Sequence, residues 1–219
     1  MSLDSEPSRG TVARRLNELL VGSGQEQLTP EVSVRFEQYC ALLLRWNART
    51  NLTAVRDGEG ILRRHFVESI ACARAIPADI KTLLDFGSGA GFPGLPIALC
   101  RPEITVTLAE SQGKKAAFLR EVGRVLGISV QVHAGRAEET GRSFDCVTLR
   151  AVDRMGEAVR GAARLVGPGG WLAAMTTRDE AGGIQAAAEA EIRGVDWREV
   201  VSLPGGLDRI LLMGRRSSG

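Results

Sequence analysis

Asp85 stands two residues before Gly87 in the stretch LLDFGSGAGFPG, Leu83 to Gly94, and two further carboxylates, Glu110 and Glu138, close later apolar runs. An apolar run that ends in a glycine-rich turn under a helix start is how a strand offers backbone amides to a ligand. Taken from Gly89, the letters GAGFPG fit GxGxxG, whose chemistry is a pyrophosphate held by N–H groups in a nicotinamide or flavin enzyme. Taken from Asp85, the charge opposes that reading. A carboxylate at this point repels a pyrophosphate and attracts a cationic ligand. S-adenosylmethionine carries an ammonium and a sulfonium, and the glycines then let the backbone approach its methionine and ribose parts with no Cβ in the way.

Glu110 follows 25 residues after Asp85, where a carboxylate can accept both ribose hydroxyls. Nicotinamide enzymes use the same device, so this residue does not separate the two chemistries. After the run SVQVHA comes GRAEE, which places Ala137 and Glu138 to frame an adenine edge, and a further run leads to Arg150. One acid at each of three successive strand ends, 85, 110 and 138, is the pattern of a class I methyltransferase. The opposing reading makes these acids solvated loop residues.

These residues need a sheet beneath them. From residue 81 onward, short apolar runs alternate with helical patterns: KTLLDF, a helix near Pro96 to Cys100, TVTLAE, a helix from Lys114 to Leu126, and SVQVHA. CVTLRA, a helical stretch Asp153 to Leu165, and WLAAMT continue the series. Such β-α-β alternation predicts a mostly parallel, Rossmann-like sheet. The last two runs, VDWREVVSL and DRILLMG, flank PGG and predict an antiparallel hairpin. Residues 1–80 read as an N-terminal helical extension and 81–219 as the core, with the boundary near Ala78 to Lys81. In the extension Val12, Leu16, Leu19 and Leu20 share one helical face, Thr29 and Pro30 start a second helix reaching Trp46, and a third runs from about Ile61 to Ile76.

The chain has 219 residues, 44% hydrophobic and 25% charged, with a net charge of only +2. An anionic partner must therefore be met by a local patch. Cys40, Cys72, Cys100 and Cys146 are scattered without metal-ligand or disulfide spacing, so no metal is expected. The N-terminal residues lack an apolar core and no segment reaches ~18 uninterrupted apolar residues, so a cytoplasmic protein without signal peptide or membrane span is expected.

LLDFGSGAGFPGLPIAL, ESQGKKAAFLREV and AGRAEE, with WNARTNLTAV and RHFVESI upstream, resemble the successive motifs of the RsmG (GidB) family. The resemblance covers roughly residues 35 to 215 in the right order. It implies S-adenosylmethionine as cofactor and methylation of N7 of a guanine in 16S ribosomal RNA of the small subunit. Cofactor contacts would fall on Gly87, Gly89, Phe92, Glu110, Ala137, Glu138 and Arg150, beside Asp85. The chain departs from the family where His65, Glu68 and Ser69 replace HxxDS, where Leu149 precedes Arg150, and where Thr176 and Thr177 stand for Lys-Gly.

Guanine N7 has a free in-plane lone pair and no proton to lose, so no catalytic base, cysteine or metal is required. For RNA, five arginines between Arg45 and His65 face only Asp57 and Glu59, which points to Arg63, Arg64, His65 and Asn51, with Lys114, Lys115, Arg136 and Arg209 as further candidates. The same arginines also fit a solvated helix face, and Asn51 also fits a turn former. The rival functions are a methyltransferase acting on another RNA, a small molecule or a protein, and a nucleotide-binding oxidoreductase or non-catalytic binding module.

Overall fold

A computed structural model describes residues 10–151, 154–206 and 208–218. The chain first forms α1 (Thr11–Gly22) and α2 (Pro30–Thr50), then α3 (Gly58–Ile61), a π-helical turn Leu62–Val67 and α4 (Glu68–Ala75) as one continuous helical run. Helix α2 starts where Thr29 Oγ1 accepts from the Val32 amide at 3.4 Å with Pro30 in the first turn, and it ends at Asn51, whose left-handed φ of 50° stops propagation. Its buried face, Phe36, Tyr39, Cys40 and Leu43, has the spacing of an amphipathic helix. The helix runs four residues past Trp46, because Asn47 ties the following loop back to it: its side chain donates to the Val55 carbonyl and accepts from the Thr53 amide.

The sheet follows as β1 (Thr82–Phe86), β2 (Thr105–Ala109), β3 (Val130–His133), β4 (Phe144–Arg150), β5 (Val166–Thr177), β6 (Val195–Trp197), β7 (Val201–Ser202) and β8 (Arg209–Arg216). Between them lie α5 (Gly94–Cys100), α6 (Gly113–Leu126), a 3-10 turn Ala137–Thr140, α7 (Met155–Arg164) and α8 (Arg178–Glu189). The strand order is β3-β2-β1-β4-β5-β8-β6, with β7 paired to β8; β1 to β5 are parallel, and β8 is antiparallel to β5, β6 and β7. The expected mostly parallel sheet with an antiparallel C-terminal hairpin is what forms. Strand alternation sends Leu83 and Cys146 to one core, shared with α1, α2, α4, α5 and α6, and Leu84 and Val147 to the other, under α7 and α8.

Helix α8 is an addition to the expected elements. Its only large buried residue is Ile184, and the rest of its inner face is Ala187 and Ala188, too small to announce a helical stripe. Strand β5 is likewise longer than WLAAMT, because Val166 to Gly170 continue it upstream.

Candidate active site

From β1 the chain steps to β2 and β3 on one side and then crosses back to β4 on the other, so the strand order reverses between β1 and β4. Ligands of such sheets sit outside the carboxyl ends of the strands at that switch. A cavity of about 540 Å³ lies there, walled by Phe86 and Gly87 at the end of β1, Ala109 and Ser111 at the end of β2, Gly135 to Glu138 after β3, and Arg154, Glu157 and Ala158 at the start of α7. That volume is in the range of small-molecule sites.

The glycine turn beside it is held from below. Gly87 and Gly89 take left-handed φ values of 69° and 57°, conformations that L side chains rarely adopt. A Cβ on Gly89 would meet nothing nearer than a backbone oxygen at 3.9 Å, so the turn leaves open space above it. Asp85 is 1% exposed and points under the turn: Oδ1 accepts from Thr148 Oγ1 at 2.9 Å and Oδ2 from the Gly94 amide at 3.1 Å. The register pairs Asp85 directly with Thr148, which brings the hydroxyl to it. Burial pushes the Asp85 carboxyl up to about 6, against the hydrogen bonds that favour its charge. Glu110 is also buried, and it spans the turn, accepting from the Gly89 amide at 2.9 Å and the Gln112 amide at 2.7 Å. Both acids therefore shape the turn, and Gly87, Ala137 and Glu138 line the cavity itself.

Phe92 and Arg150 stand apart from that cavity, in a polar cluster under the N-terminal helices. Arg150 donates to Glu68 Oε2 at 2.8 Å, to the Arg64 carbonyl and to Ser69 Oγ at 3.5 Å, and Arg209 reaches the same Glu68 oxygen at 3.2 Å. Glu68 is 2% exposed, and Gly205 packs on its other oxygen so closely that a Cβ would lie 2.7 Å away. The glutamate that lengthens the expected HxxDS pattern is thus the acceptor for both arginines. His65 stacks on Phe92 with ring centroids 4.5 Å apart and planes 18° from parallel, and its Nε2 shares a 2.8 Å hydrogen bond with Thr53 Oγ1. Burial, then Arg150 and Arg64, push this imidazole down to about 3, and its Nδ1 is enclosed with no partner among the described residues.

The candidate RNA residues divide by partner. Arg63 pairs with Glu59 at 2.6 Å, and Arg15 takes the same carboxylate at 2.8 Å, so Arg63 is engaged within the protein. Asn51 is the helix end described above and accepts from Arg56 at 3.0 Å. Arg64 is exposed and Lys114 and Lys115 open α6, with no ion pair on any of the three among the described residues. Arg136 is in the cavity wall and Arg209 in the Glu68 cluster.

Sequence reading passed over Phe86, Ala109, Ser111, Gly135, Arg154, Glu157 and Ala158. The strand-end rule alone marks Ser111 and Gly135, each just past a parallel strand. Gly161 is less legible: buried inside α7, it leaves room where a Cβ would lie 2.8 Å from Glu138 Oε1 and 3.1 Å from the Phe86 ring, and its one signal is a glycine in a helix interior.

A family model described as rRNA small subunit methyltransferase G (GidB) matches residues 33–206. The ribosomal RNA small subunit methyltransferase G of Halorhodospira halophila is 38% identical over 183 residues, 83% of this chain and 87% of that one. The protein of that name from Roseiflexus sp. is 50% identical over 125 residues, 54% of this chain and 53% of its own length. This chain spans about half the length of the Roseiflexus relatives it matches. Among solved structures, a SAM dependent methyltransferase from Aquifex aeolicus superposes with a TM-score of 0.57 at 15% identity, over 72% of this chain and 93% of that one, a likeness of fold. With most of its length matched by the family model and by the Halorhodospira protein, the chain belongs to the rRNA small subunit methyltransferase G (GidB) family.

Proposed function

We propose that the chain transfers a methyl group from S-adenosylmethionine to N7 of a guanine in 16S ribosomal RNA, within the small ribosomal subunit and in the cytoplasm. The observation that carries this reading is the 540 Å³ cavity at the carboxyl ends of β1, β2 and β3, with a glycine turn on one side and Ala137 and Glu138 on another. No helix of the described residues is long and apolar enough to cross a membrane.

When bound, the cofactor supplies an electrophilic methyl on a sulfonium. Gly87 and Gly89 keep side chains out of its path, and Asp85 sets a negative charge beneath the turn that favours a cationic ligand. Glu110 has about four lone-pair sites, of which the Gly89 and Gln112 amides use two, so it retains capacity for ribose hydroxyls. Ala137 and Glu138 frame the adenine side, while Arg150 is held in the Glu68 cluster and Phe92 stacks on His65. Guanine N7 needs no base to remove a proton, and rate comes from alignment of nucleophile and methyl. His65 is held neutral and stacks on Phe92, so it braces that ring without adding charge there. Residues 81–219 hold the methyl donor and residues 1–80 help position RNA, with Asn51, Arg63, Arg64 and His65 on the helical side and Lys114, Lys115, Arg136 and Arg209 on the other.

The test is transfer of labelled methyl to small subunits, total RNA and cell extract in parallel, with the product base mapped. Label in 7-methylguanine of the small-subunit RNA is the expected result. Label confined to protein or small molecules, with S-adenosylhomocysteine still binding in a calorimeter, would replace the substrate and leave the cofactor reading standing.

A further inference from the structure

A second recess of about 220 Å³ lies away from the cofactor cavity, between the C-terminal half of α6 and β3, which is the edge strand of the sheet. Its floor is apolar, made of Ile128, Val130 and Val132, and its rim carries Arg120 and Arg124, four residues apart on one helical face. Both arginines are exposed, and neither makes an ion pair or side-chain hydrogen bond among the described residues. The one acid on the helix, Glu121, is taken by the indole N–H of Trp46 at 3.0 Å.

Helix geometry links this recess to the cavity. Gly113, Ala117, Arg120 and Arg124 follow one stripe of α6, and Ser111, in the cavity wall, sits just before its first turn. A Cβ on Gly113 would meet nothing within 4 Å, so the stripe starts low at the cavity rim and rises to the two arginines. From Gly113 to Arg124 the helix axis covers roughly 16 Å. Lys114 and Lys115 flank the end at the cavity rim.

We propose that this recess is a second RNA seat, resting on the reading of the chain as a ribosomal RNA methyltransferase. The guanidinium groups of Arg120 and Arg124 take phosphates of the strand that carries the target guanine, and Ile128, Val130 and Val132 take a neighbouring nucleotide's base. Cations without carboxylate partners are the groups that release counterions on meeting a phosphate chain, and a guanidinium also offers a flat face to a base. By the same criterion Arg63 is the poorer candidate, because Glu59 already holds it.

The experiment uses the full chain with Arg120→Gln/Arg124→Gln, and with Arg120→Lys/Arg124→Lys as the charge-keeping control. Affinity for a protein-free 16S transcript and methyl transfer to intact small subunits are followed over a salt series. S-adenosylhomocysteine affinity and thermal midpoint are followed alongside. The glutamine pair should weaken transcript binding about tenfold or more, lower the salt slope by up to about two, and raise KM for subunits with kcat and cofactor affinity unchanged. The lysine pair should keep the slope. Wild-type transcript affinity in the glutamine pair overturns the seat while the RNA methyltransferase reading stands. A loss seen with subunits and not with the transcript also overturns it, in favour of a ribosomal protein against the β3 edge. A wild-type chain that neither binds transcript nor methylates subunits overturns both readings.

Discussion

Two polar regions meet at the carboxyl end of this sheet, and they are built on opposite plans. Around the candidate cofactor cavity, glycines, alanines and Ser111 alternate with Phe86, Arg136, Glu138, Arg154 and Glu157, and the space between them is left open. Under the N-terminal helices, Glu68, Arg150 and Arg209 fill the space with paired charge, and His65 and Phe92 stack beside them. The first arrangement leaves its polar groups for a ligand. The second spends them within the protein, fixing the helical run over β4 and the C-terminal hairpin. A residue's sequence motif does not reveal which plan it serves: Gly87 and Arg150 sit on neighbouring strand ends, one at the cavity and one in the cluster.

The largest break in this contrast should come from the cluster. Glu68→Ala leaves two guanidinium groups without their shared acceptor, one of them nearly buried, and should destabilise the fold by about 3–5 kcal/mol, read as a lower urea midpoint at unchanged slope. Glu68→Gln should recover part of that loss, since an amide oxygen still accepts.

On the cavity side, Asp85→Asn should leave the midpoint near that of wild type, because an amide can accept from Gly94 and donate to Thr148, whose hydroxyl can turn to the Leu84 carbonyl at 3.4 Å. Cofactor affinity should fall by about 1–3 kcal/mol with the loss of charge. Unchanged calorimetric affinity would make Asp85 a turn former only. Gly161→Ala sharpens the same point from the far side of the wall. Its methyl must displace Glu138 and Phe86, so S-adenosylhomocysteine should bind about 1–2 kcal/mol more weakly while the turnover number of the saturated enzyme stays.

The most gradual effect, small per pH unit, is one of pH, and it separates the regions by sign. The folded His65 sits near 3 against about 6.5 unfolded, so it contributes stability above pH 6.5 that is lost as pH falls toward 3, by at most about 1.4 kcal/mol per pH unit. Asp85 sits near 6 against an ordinary 3.8, so the folded state holds its proton more tightly and stability falls as pH rises from about 4 to 6. Between those values the two oppose each other. His65→Asn should therefore remove the acid-side loss and leave stability declining from pH 4 to 6, whereas Asp85→Asn should steepen the loss on acidification.

The sequence by itself determined the parallel sheet, the antiparallel closure and the glycine turn, because each rests on local rules. Apolar alternation fixes which face of β1 receives Leu83 and which Leu84, PGG permits the reversal between β7 and β8, and only glycine enters a left-handed turn freely. It also put Asp85 and Glu110 at the ends of β1 and β2, since parallel strands deliver their carboxyl ends to one edge, whereas Glu138 stands in the 3-10 turn that follows β3. Tertiary structure alone decided where those carboxylates point. Asp85 turns beneath the loop because the register sets Thr148 opposite it, and Glu110 is claimed by the Gly89 amide 21 positions back in the chain. It alone decided that Glu68, Arg150 and Arg209, up to 141 positions apart, would share one buried oxygen, that Arg63 would be answered by Glu59, and that Gly161 would be the clearance behind Phe86. Pairing and clearance are properties of distance in space, and a charge or a glycine in the chain carries no record of what folding brings to it.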